Sequence, residues 1–189
     1  MNDPMEQWEG RDGIAFLRRI GLRSGDSVVD FGCRVGHYSI PAAFAVGSSG
    51  RVYALDKDQE PLDRLMEKAR KHALGNIETI RTSGRLDTEI ESNSADAILL
   101  YDVLHYFARG PRQTLFRQAF ELLKSTGWLS VYPKHTIEDW PSQEFKSLRV
   151  SDIEREIEGC HFRLEGVYEA TISHDNRLER GRVLNFRKS

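Results

Sequence analysis

Short continuous runs of apolar residues mark the predicted strands of this chain. Residues 28–31, 97–101 and 128–132 are the clearest runs, and weaker ones lie at 51–55 and 77–80. Strands that are buried on both faces of a parallel sheet have this pattern, because helices cover both faces. The pattern therefore predicts five β-strands with helical segments between them.

Between the strands, apolar residues recur every three or four positions, which is the period of an amphipathic helix. Asp58 is the predicted N-cap of one such helix, and residues 151–154 have the form of a capping box that opens another. A further helix is expected to begin near His37. The remaining stripes are Ile14, Leu17 and Ile20, ending at Gly21; Leu62, Leu65, Met66 and Ala69; and Leu115, Phe116, Ala119, Leu122 and Leu123, with Gly127 as a stop signal.

The C-terminal quarter changes to a period of two. From Phe162 to Ile172, apolar residues alternate with polar ones, which is typical of a half-exposed antiparallel strand. A turn-rich stretch at 173–176 and a last strand at about 182–187 complete a predicted hairpin. The expected order is a leading helical segment over residues 1–24, five β-α units and a terminal hairpin, in a single domain over residues 1–189.

Composition and charge narrow the function classes. The chain has 189 residues, 39% hydrophobic and 30% charged, as in ordinary globular proteins. Its formal net charge of −2 does not indicate the excess of positive charge that nucleic-acid binding requires. The longest apolar run, 40–46, is too short to cross a bilayer. Two cysteines suit a reducing cytoplasm, and the acidic N-terminus predicts no secretory leader. We expect a cytoplasmic enzyme or small-ligand binder with no nucleic-acid or membrane partner; oligomeric state is not predicted.

A glycine-containing turn follows the first strand. It reads Asp-Phe-Gly-Cys-Arg-Val-Gly over residues 30–36, and its glycines let the backbone approach a ligand where a Cβ would collide. Asp56 comes twenty residues after Gly36 (56 minus 36), at the end of the second strand, where an acidic side chain binds both hydroxyls of a ribose. The turn and the acid predict NAD or S-adenosylmethionine. NAD is disfavoured because Arg34 and His37 stand where the second and third glycines of G-x-G-x-x-G belong.

The same turn resembles motif I of the class I S-adenosylmethionine-dependent methyltransferases, an acidic residue followed by G-x-G-x-G. Residues 96–105, Asp-Ala-Ile-Leu-Leu-Tyr-Asp-Val-Leu-His, look like that family's fourth-strand motif. Residues 122–129, Leu-Leu-Lys-Ser-Thr-Gly-Trp-Leu, look like its approach to the fifth strand. The small, undecorated type 11-like domains look closest.

The resemblance implies an α/β, Rossmann-like three-layer sandwich. Its seven-stranded, mostly parallel sheet would have the order 3-2-1-4-5-7-6 and an antiparallel terminal hairpin. It also implies S-adenosyl-L-methionine as cofactor and methyl transfer to a small-molecule acceptor as the activity.

The resemblance also assigns cofactor contacts, and three of them have ordinary structural alternatives. Asp30 can instead satisfy backbone amides of the turn, Asp56 can cap a helix, and Asp102 can be a helix N-cap. The implied contacts are Gly32, Cys33 and Gly36 along the methionine part with Asp30 behind them; Asp56 and Lys57 at the ribose and adenine edge; Thr82 or Ser83 at the adenine; and Tyr101 and Asp102 over the sulfonium.

The acceptor side has weaker candidates. A general base is needed only if the acceptor must lose a proton, and His105 and His135 are the candidates. The alternatives are that His105 is a packed or solvated histidine and that His135, with Lys134, forms a solvated loop pair. Tyr38, Lys134 and Arg177 are candidate substrate contacts, and Arg177 would favour an anionic acceptor.

Two other functions remain open. Arg34, in place of a motif glycine, suggests a non-catalytic relative that binds S-adenosylmethionine or S-adenosylhomocysteine, and an NAD-dependent oxidoreductase is the third reading. The cysteines and histidines lack C-x-x-C or H-x-x-x-H spacing, so no metal site, and in particular no structural zinc, is predicted.

Overall fold

The computed structural model describes residues 3–86 and 89–189. Within them it has six α-helices and seven strands, with a π-helical turn at Trp8–Asp12 and a 3₁₀ turn at Leu104–Tyr106. The helices are α1 (Pro4–Gln7), α2 (Gly13–Arg19), α3 (Ser39–Val46), α4 (Gln59–Lys71), α5 (Arg109–Leu122) and α6 (Val150–Glu158). The strands are β1 (Ser27–Phe31), β2 (Arg51–Asp56), β3 (Ile77–Arg81), β4 (Ala95–Tyr101), β5 (Leu123–Tyr132), β6 (Phe162–His174) and β7 (Arg177–Lys188). None of the described helices is long and apolar enough to cross a membrane.

The strands form one sheet in the order β3-β2-β1-β4-β5-β7-β6. Strands β1, β2 and β3 are parallel to one another, β4 is parallel to β5, and β7 is antiparallel to β5. Two residues, 175 and 176, connect β6 to β7, as in a tight hairpin. The predicted α/β, Rossmann-like sheet with its order and terminal hairpin is confirmed.

The chain divides into two compact units. The first comprises Met1–Gly84 and Glu169–Gly181, and the second comprises Arg85–Tyr168 and Arg182–Ser189. The interpretation of residues 1–189 as a single domain stays a prediction.

In the first unit, helix α3 is buried on nearly every face because its sequence is almost wholly apolar. Helix α2 and the π-helical turn pack against it. The amide side chain of Asn76 donates to the carbonyls of Ala43 and Gly47, at 3.0 and 2.8 Å, and so satisfies the C-terminal end of α3. These contacts anchor the helix that follows the glycine turn.

In the second unit, a buried ion pair joins helices α5 and α6. Arg112, with its side chain 2% exposed, donates from Nε and Nη2 to the two carboxylate oxygens of Glu156, at 2.9 and 2.8 Å. Its guanidinium also lies 5.0 Å from the ring centre of Phe145 and donates to the carbonyl of Phe107. This bidentate geometry is the one that offsets the desolvation of both charges.

Several predicted helix ends are displaced. The helix expected near His37 begins at Ser39, and Leu123 belongs to β5 rather than to α5. Gly127 lies inside β5, where a Cβ would approach the carbonyl oxygen of Ala95 to 2.9 Å, so close strand packing rather than a helix stop accounts for it.

The caps of two helices also differ in detail from the predictions. The capping box predicted at 151–154 is wrong: the N-cap of α6 is Arg149, whose amide donates to Asp152 Oδ2 at 2.7 Å while its guanidinium cannot accept in return. Asp58 is the N-cap of α4 as predicted, but its side chain makes no cap hydrogen bond.

The loops after β3 and β4 also differ from the predictions. Four β-α units are present rather than five, since no helix follows β3 in residues 82–86 and 89–94. His105 lies on the 3₁₀ turn, not on α5, and the N-cap positions of these elements are Val103 and Ala108. Asp102 precedes both with φ 53°. Its alternative role as a helix N-cap is therefore wrong.

The hairpin is longer than predicted. Its strands extend to His174 and start again at Arg177, so the turn occupies only residues 175 and 176. Residues 177–181, which were expected to lie outside the last strand, therefore belong to β7.

Candidate functional site

The glycine turn after β1 is held against the end of β2. Gly32 and Cys33 both donate their amides to the carbonyl of Leu55, at 2.8 and 3.0 Å, and the Gly36 amide donates to the Cys33 carbonyl at 2.9 Å. Gly32 and Gly36 have φ of 79° and 86°, where side chains other than hydrogen are disfavoured. The turn therefore lies beside Asp56, the last residue of β2.

Gly36 also makes room for helix α4. A Cβ at this position would lie 2.2 Å from Cδ1 of Leu65, which is completely buried. Gly36 consequently has a structural role whatever its predicted contact with a cofactor.

Arg34 adopts the left-handed backbone that the usual motif glycine permits, with φ 46°. Its amide donates to Oδ2 of Asp56 at 2.9 Å, and the amide of Asp58 donates to Oδ1 at 3.0 Å. The Arg34 side chain is exposed. The strained turn is thus fixed by the buried carboxylate that ends β2.

Asp56 has the properties required of a ribose-binding acid. It is 6% exposed, and each of its oxygens accepts one backbone amide while having a second lone pair. It is therefore able to accept two further hydroxyl donors. The N-cap of α4 is Asp58, so Asp56 is not a plain helix cap.

Two residues of the turn, Asp30 and Cys33, have buried ionisable side chains. Asp30 accepts a hydrogen bond of 2.5 Å from the Ser39 hydroxyl, and burial, with a smaller contribution from the charge of Asp56, raises the pKa of Asp30 to about 6. Burial likewise raises the pKa of the Cys33 thiol well above its usual value, so Cys33 packs as a neutral thiol. The Ser39 bond, rather than turn amides, is the polar contact seen at Asp30.

A polar network that the sequence did not predict links the leading segment to the turn. Glu9, 5% exposed, lies 2.7 Å from His37 Nδ1 and accepts from Lys68 Nζ at 2.6 Å. His37 Nε2 lies 3.1 Å from Asn176 Oδ1, and the Trp8 indole donates to the His37 carbonyl at 2.7 Å. No spacing rule connects positions this far apart in sequence. Burial opposes ionisation of Glu9, but the bonds from His37 and Lys68 outweigh it and hold the Glu9 pKa below its usual value.

The other predicted residues of the first unit occupy varied positions. Tyr38 is buried, and its hydroxyl donates to the Ser173 carbonyl at 2.7 Å. Lys57 and Ser83 are exposed, and the Thr82 amide donates to the carbonyl of Asp56 at 2.9 Å. Arg177 is 72% exposed, 3.9 Å from Glu179. Thr82 therefore lies next to Asp56 at the ends of β3 and β2, and the cofactor contacts assigned to these residues stay predictions.

In the second unit, Asp102, His105 and His135 form a cluster at the carboxyl ends of β4 and β5. Oδ1 of Asp102 lies 3.5 Å from His105 Nδ1 and 3.5 Å from His135 Nε2. The two imidazole rings have centres 4.4 Å apart, and His135 Nδ1 lies 2.9 Å from the Trp140 carbonyl oxygen. The arrangement combines one carboxylate and two imidazoles, and an imidazole can accept a proton.

Two more predicted residues lie next to this cluster in sequence. Lys134 is mostly buried, and its ammonium group pairs with Asp139 at 2.6 Å. The Tyr101 hydroxyl lies 2.7 Å from Ser130 Oγ, which donates to Asn185 Oδ1 at 2.7 Å, so Tyr101 is anchored by its neighbouring strands. Both side chains have a protein partner in the described structure.

Solved structures share this fold. A SAM-dependent methyltransferase from Aquifex aeolicus is 20% identical, with a TM-score of 0.77 over 97% of this chain and 93% of that chain. Magnesium protoporphyrin IX methyltransferase from Synechocystis PCC 6803, solved with bound SAM, is 22% identical, with a TM-score of 0.70 over 98% of this chain and 80% of that chain.

Sequence relatives match over shorter stretches. A probable cobalt-precorrin-6B C(15)-methyltransferase of Saccharolobus solfataricus is 36% identical over 66 residues, 34% of this chain and 33% of that protein. A 23S rRNA (uracil(1939)-C(5))-methyltransferase of Acinetobacter baylyi is 31% identical over 97 residues, 46% of this chain and 21% of that protein. The match therefore spans a third or less of these curated relatives.

A family model described as a methyltransferase domain matches residues 28–127, which is 100 of the 189 residues (127 minus 27). The matched region runs from β1 through the glycine turn and Asp56 to the start of β5. The chain belongs to the methyltransferase-domain family, and solved S-adenosylmethionine-dependent methyltransferases share its fold.

Proposed function

We propose that this chain is a methyltransferase that transfers the methyl group of S-adenosylmethionine to a small molecule. The observation that carries the proposal is the buried Asp56 carboxylate, which fixes the glycine turn through Arg34 and keeps acceptor capacity for two hydroxyls. The finer assignment to small, type 11-like domains is part of this proposal.

Residues of the first unit would hold the cofactor. Gly32, Cys33 and Gly36 would line its methionine part, with Asp30 buried behind them. Asp56 and Lys57 would bind the ribose and the adenine edge, and Thr82 or Ser83 the adenine. When bound, S-adenosylmethionine supplies an electrophilic methyl group that passes to a lone pair of the acceptor as the carbon–sulfur bond breaks.

The chain's own contribution would be positioning and, for some acceptors, removal of a proton. Orientation in a water-excluding site provides much of the acceleration of such a displacement. Tyr101 and Asp102 would close over the sulfonium, and Tyr38, Lys134 and Arg177 would border the acceptor. An acceptor with a hydroxyl or ammonium group loses a proton, which His105 or His135 would take.

We further propose the cytoplasm as the compartment and a small molecule, rather than a nucleic acid or a membrane lipid, as the acceptor. Both cysteines are unpaired and buried, which suits a reducing environment. The net charge of −2 favours a small acceptor over RNA, although one relative is named for methylation of ribosomal RNA.

The proposal is tested by incubating the purified chain with methyl-labelled S-adenosylmethionine and either a small-metabolite extract or total RNA. Label transferred to the metabolite fraction by wild type, and not by Asp56→Ala, is the expected result. Label in RNA would overturn the small-molecule assignment. Cofactor binding without transfer to either fraction would make the chain a non-catalytic relative.

A further inference from the structure

We propose that the leading segment positions the glycine turn for binding of S-adenosylmethionine, and that His37 is the positioning residue through which it acts. The inference rests on the proposed function and deepens it, because it assigns part of the cofactor affinity to residues far from the turn in sequence. His37 directly follows Gly36, the last glycine of the turn, and helix α3 begins at Ser39. A displacement of His37 is therefore passed directly to a glycine that would line the cofactor.

Two consecutive residues of the leading segment hold His37 by both its backbone and its side chain. The Trp8 indole donates to the His37 carbonyl at 2.7 Å, and Oε1 of Glu9 lies 2.7 Å from His37 Nδ1. Trp8 and Glu9 are 1% and 5% exposed, so neither contact is a surface one on their side. Fixing the carbonyl and the ring together restricts rotation of residue 37.

The backbone of the leading segment is unusual at these two residues. Trp8 opens the π-helical turn and Glu9 is its second residue, and the Gly13 amide donates to the Trp8 carbonyl five residues back. Single π-helical turns are rare in proteins and occur frequently at functional sites. The turn lies at the residues that contact His37, which supports a role beyond covering the core.

The charges of the network fix the direction of its hydrogen bonds. Burial opposes ionisation of Glu9, but the bonds from His37 and Lys68 outweigh it and hold the Glu9 pKa below its usual value. A carboxylate only accepts hydrogen bonds, so His37 donates from Nδ1. Lys68, on helix α4, donates to the same carboxylate oxygen at 2.6 Å. Glu9 therefore joins the leading segment, the end of the glycine turn and α4.

The tip of the β6–β7 hairpin also contacts the residues that follow the turn. His37 Nε2 lies 3.1 Å from Asn176 Oδ1, and the Tyr38 hydroxyl donates to the Ser173 carbonyl at 2.7 Å. These residues, the leading segment and the glycine turn all belong to the first compact unit. Segments from both ends of the chain thus converge on the two residues after Gly36.

A positioning role and a purely structural role predict different results. If the network only stabilised the fold, its loss would lower the free energy of unfolding and leave the cofactor affinity of the folded chain unchanged. If it positions the turn, the folded variant also binds the cofactor more weakly. Coupling between two sites typically changes an affinity by about 5–150-fold, and it acts equally in both directions.

The test is calorimetric titration of the purified full chain with S-adenosylhomocysteine, at a temperature at which thermal unfolding shows the compared proteins to be folded. His37→Ala and Glu9→Gln should each bind at least about fivefold more weakly than wild type. His37→Asn keeps a donor near the position of Nδ1 and should recover part of the affinity. His72→Gln, at an exposed histidine that caps the C-terminus of α4, is the matched control and should bind as wild type does.

Hydrogen exchange tests the coupling in the reverse direction. Bound S-adenosylhomocysteine should slow exchange of the amides of residues 5–12 in wild type, and less so in Glu9→Gln. Equal affinity in wild type and folded His37→Ala would overturn the proposal and leave the proposed function intact. Should His37→Ala not fold, equal affinity in wild type and Glu9→Gln has the same meaning. Absence of binding to wild type would overturn both.

Discussion

Gly36 meets two independent requirements at one position, a φ of 86° and contact with Leu65. Gly36→Ala should therefore lower the free energy of unfolding by about 2–4 kcal/mol, from left-handed strain and overpacking together. Urea denaturation measures the loss. Gly75→Ala is the control, since a Cβ there meets nothing within 4 Å. The account is contradicted if both alanine variants are equally stable.

Arg34 shows how the turn tolerates a residue other than glycine. Its left-handed φ costs roughly 1–2 kcal/mol, while its amide bonds to Asp56 and its side chain stays exposed. Arg34→Gly should bind S-adenosylmethionine at least as tightly as wild type in titration calorimetry. Tighter binding by wild type would instead show that Arg34 contacts the cofactor.

Asp30 should make stability depend on pH in an unusual direction. Burial raises its folded pKa to about 6 from an ordinary 3.8, so the folded chain holds this proton more tightly than the unfolded chain. Its contribution to the free energy of unfolding therefore falls as pH rises from about 4 to about 6, and is constant above. The shift corresponds to about 3 kcal/mol at neutral pH.

Asp30→Asn isolates this contribution because the amide oxygen still accepts from Ser39. Relative to wild type, the variant should gain about 2 kcal/mol between pH 4.5 and pH 7 in urea denaturation. A difference between the two proteins that does not change with pH would sink the assignment.

At the scale of elements, the buried carboxylate of Glu9 holds the leading segment in place through His37 and Lys68. Glu9→Gln removes the charge that His37 and Lys68 share, and should lower the free energy of unfolding by about 1–3 kcal/mol. Thermal unfolding compares it with Glu6→Gln, whose side chain is exposed. If both variants melt at the wild-type temperature, the network does not hold the segment in place.

Strands were easier to predict than helix ends in this chain. The apolar runs located β1, β2, β3 and β4 within about two residues, since burial on both faces leaves a direct signature. The end of α5 was misplaced because Leu122 and Leu123 continue the apolar stripe while the backbone already changes to a strand. Periodicity reports burial, and a buried residue at a helix–strand junction satisfies both patterns.

At the scale of the whole molecule, the resemblance to a known family predicted features that the hydrophobic pattern of single elements did not. The sheet order and the family followed from motifs at three strand ends, and both are confirmed. Asp56 was found by its distance from Gly36, because a βαβ unit has a nearly constant length. The Glu9 network was not foreseen, because tertiary contacts between distant segments leave no spacing in the sequence.

The most direct test of the central claim is calorimetric titration of the chain with S-adenosylhomocysteine, comparing wild type with Asp56→Ala and with the control Asp63→Ala on the exposed side of α4. Loss of two charge-assisted hydrogen bonds should weaken binding to Asp56→Ala by roughly 2–4 kcal/mol, while Asp63→Ala binds as wild type does. An affinity for Asp56→Ala within about threefold of wild type, less than about 0.7 kcal/mol, would contradict the account.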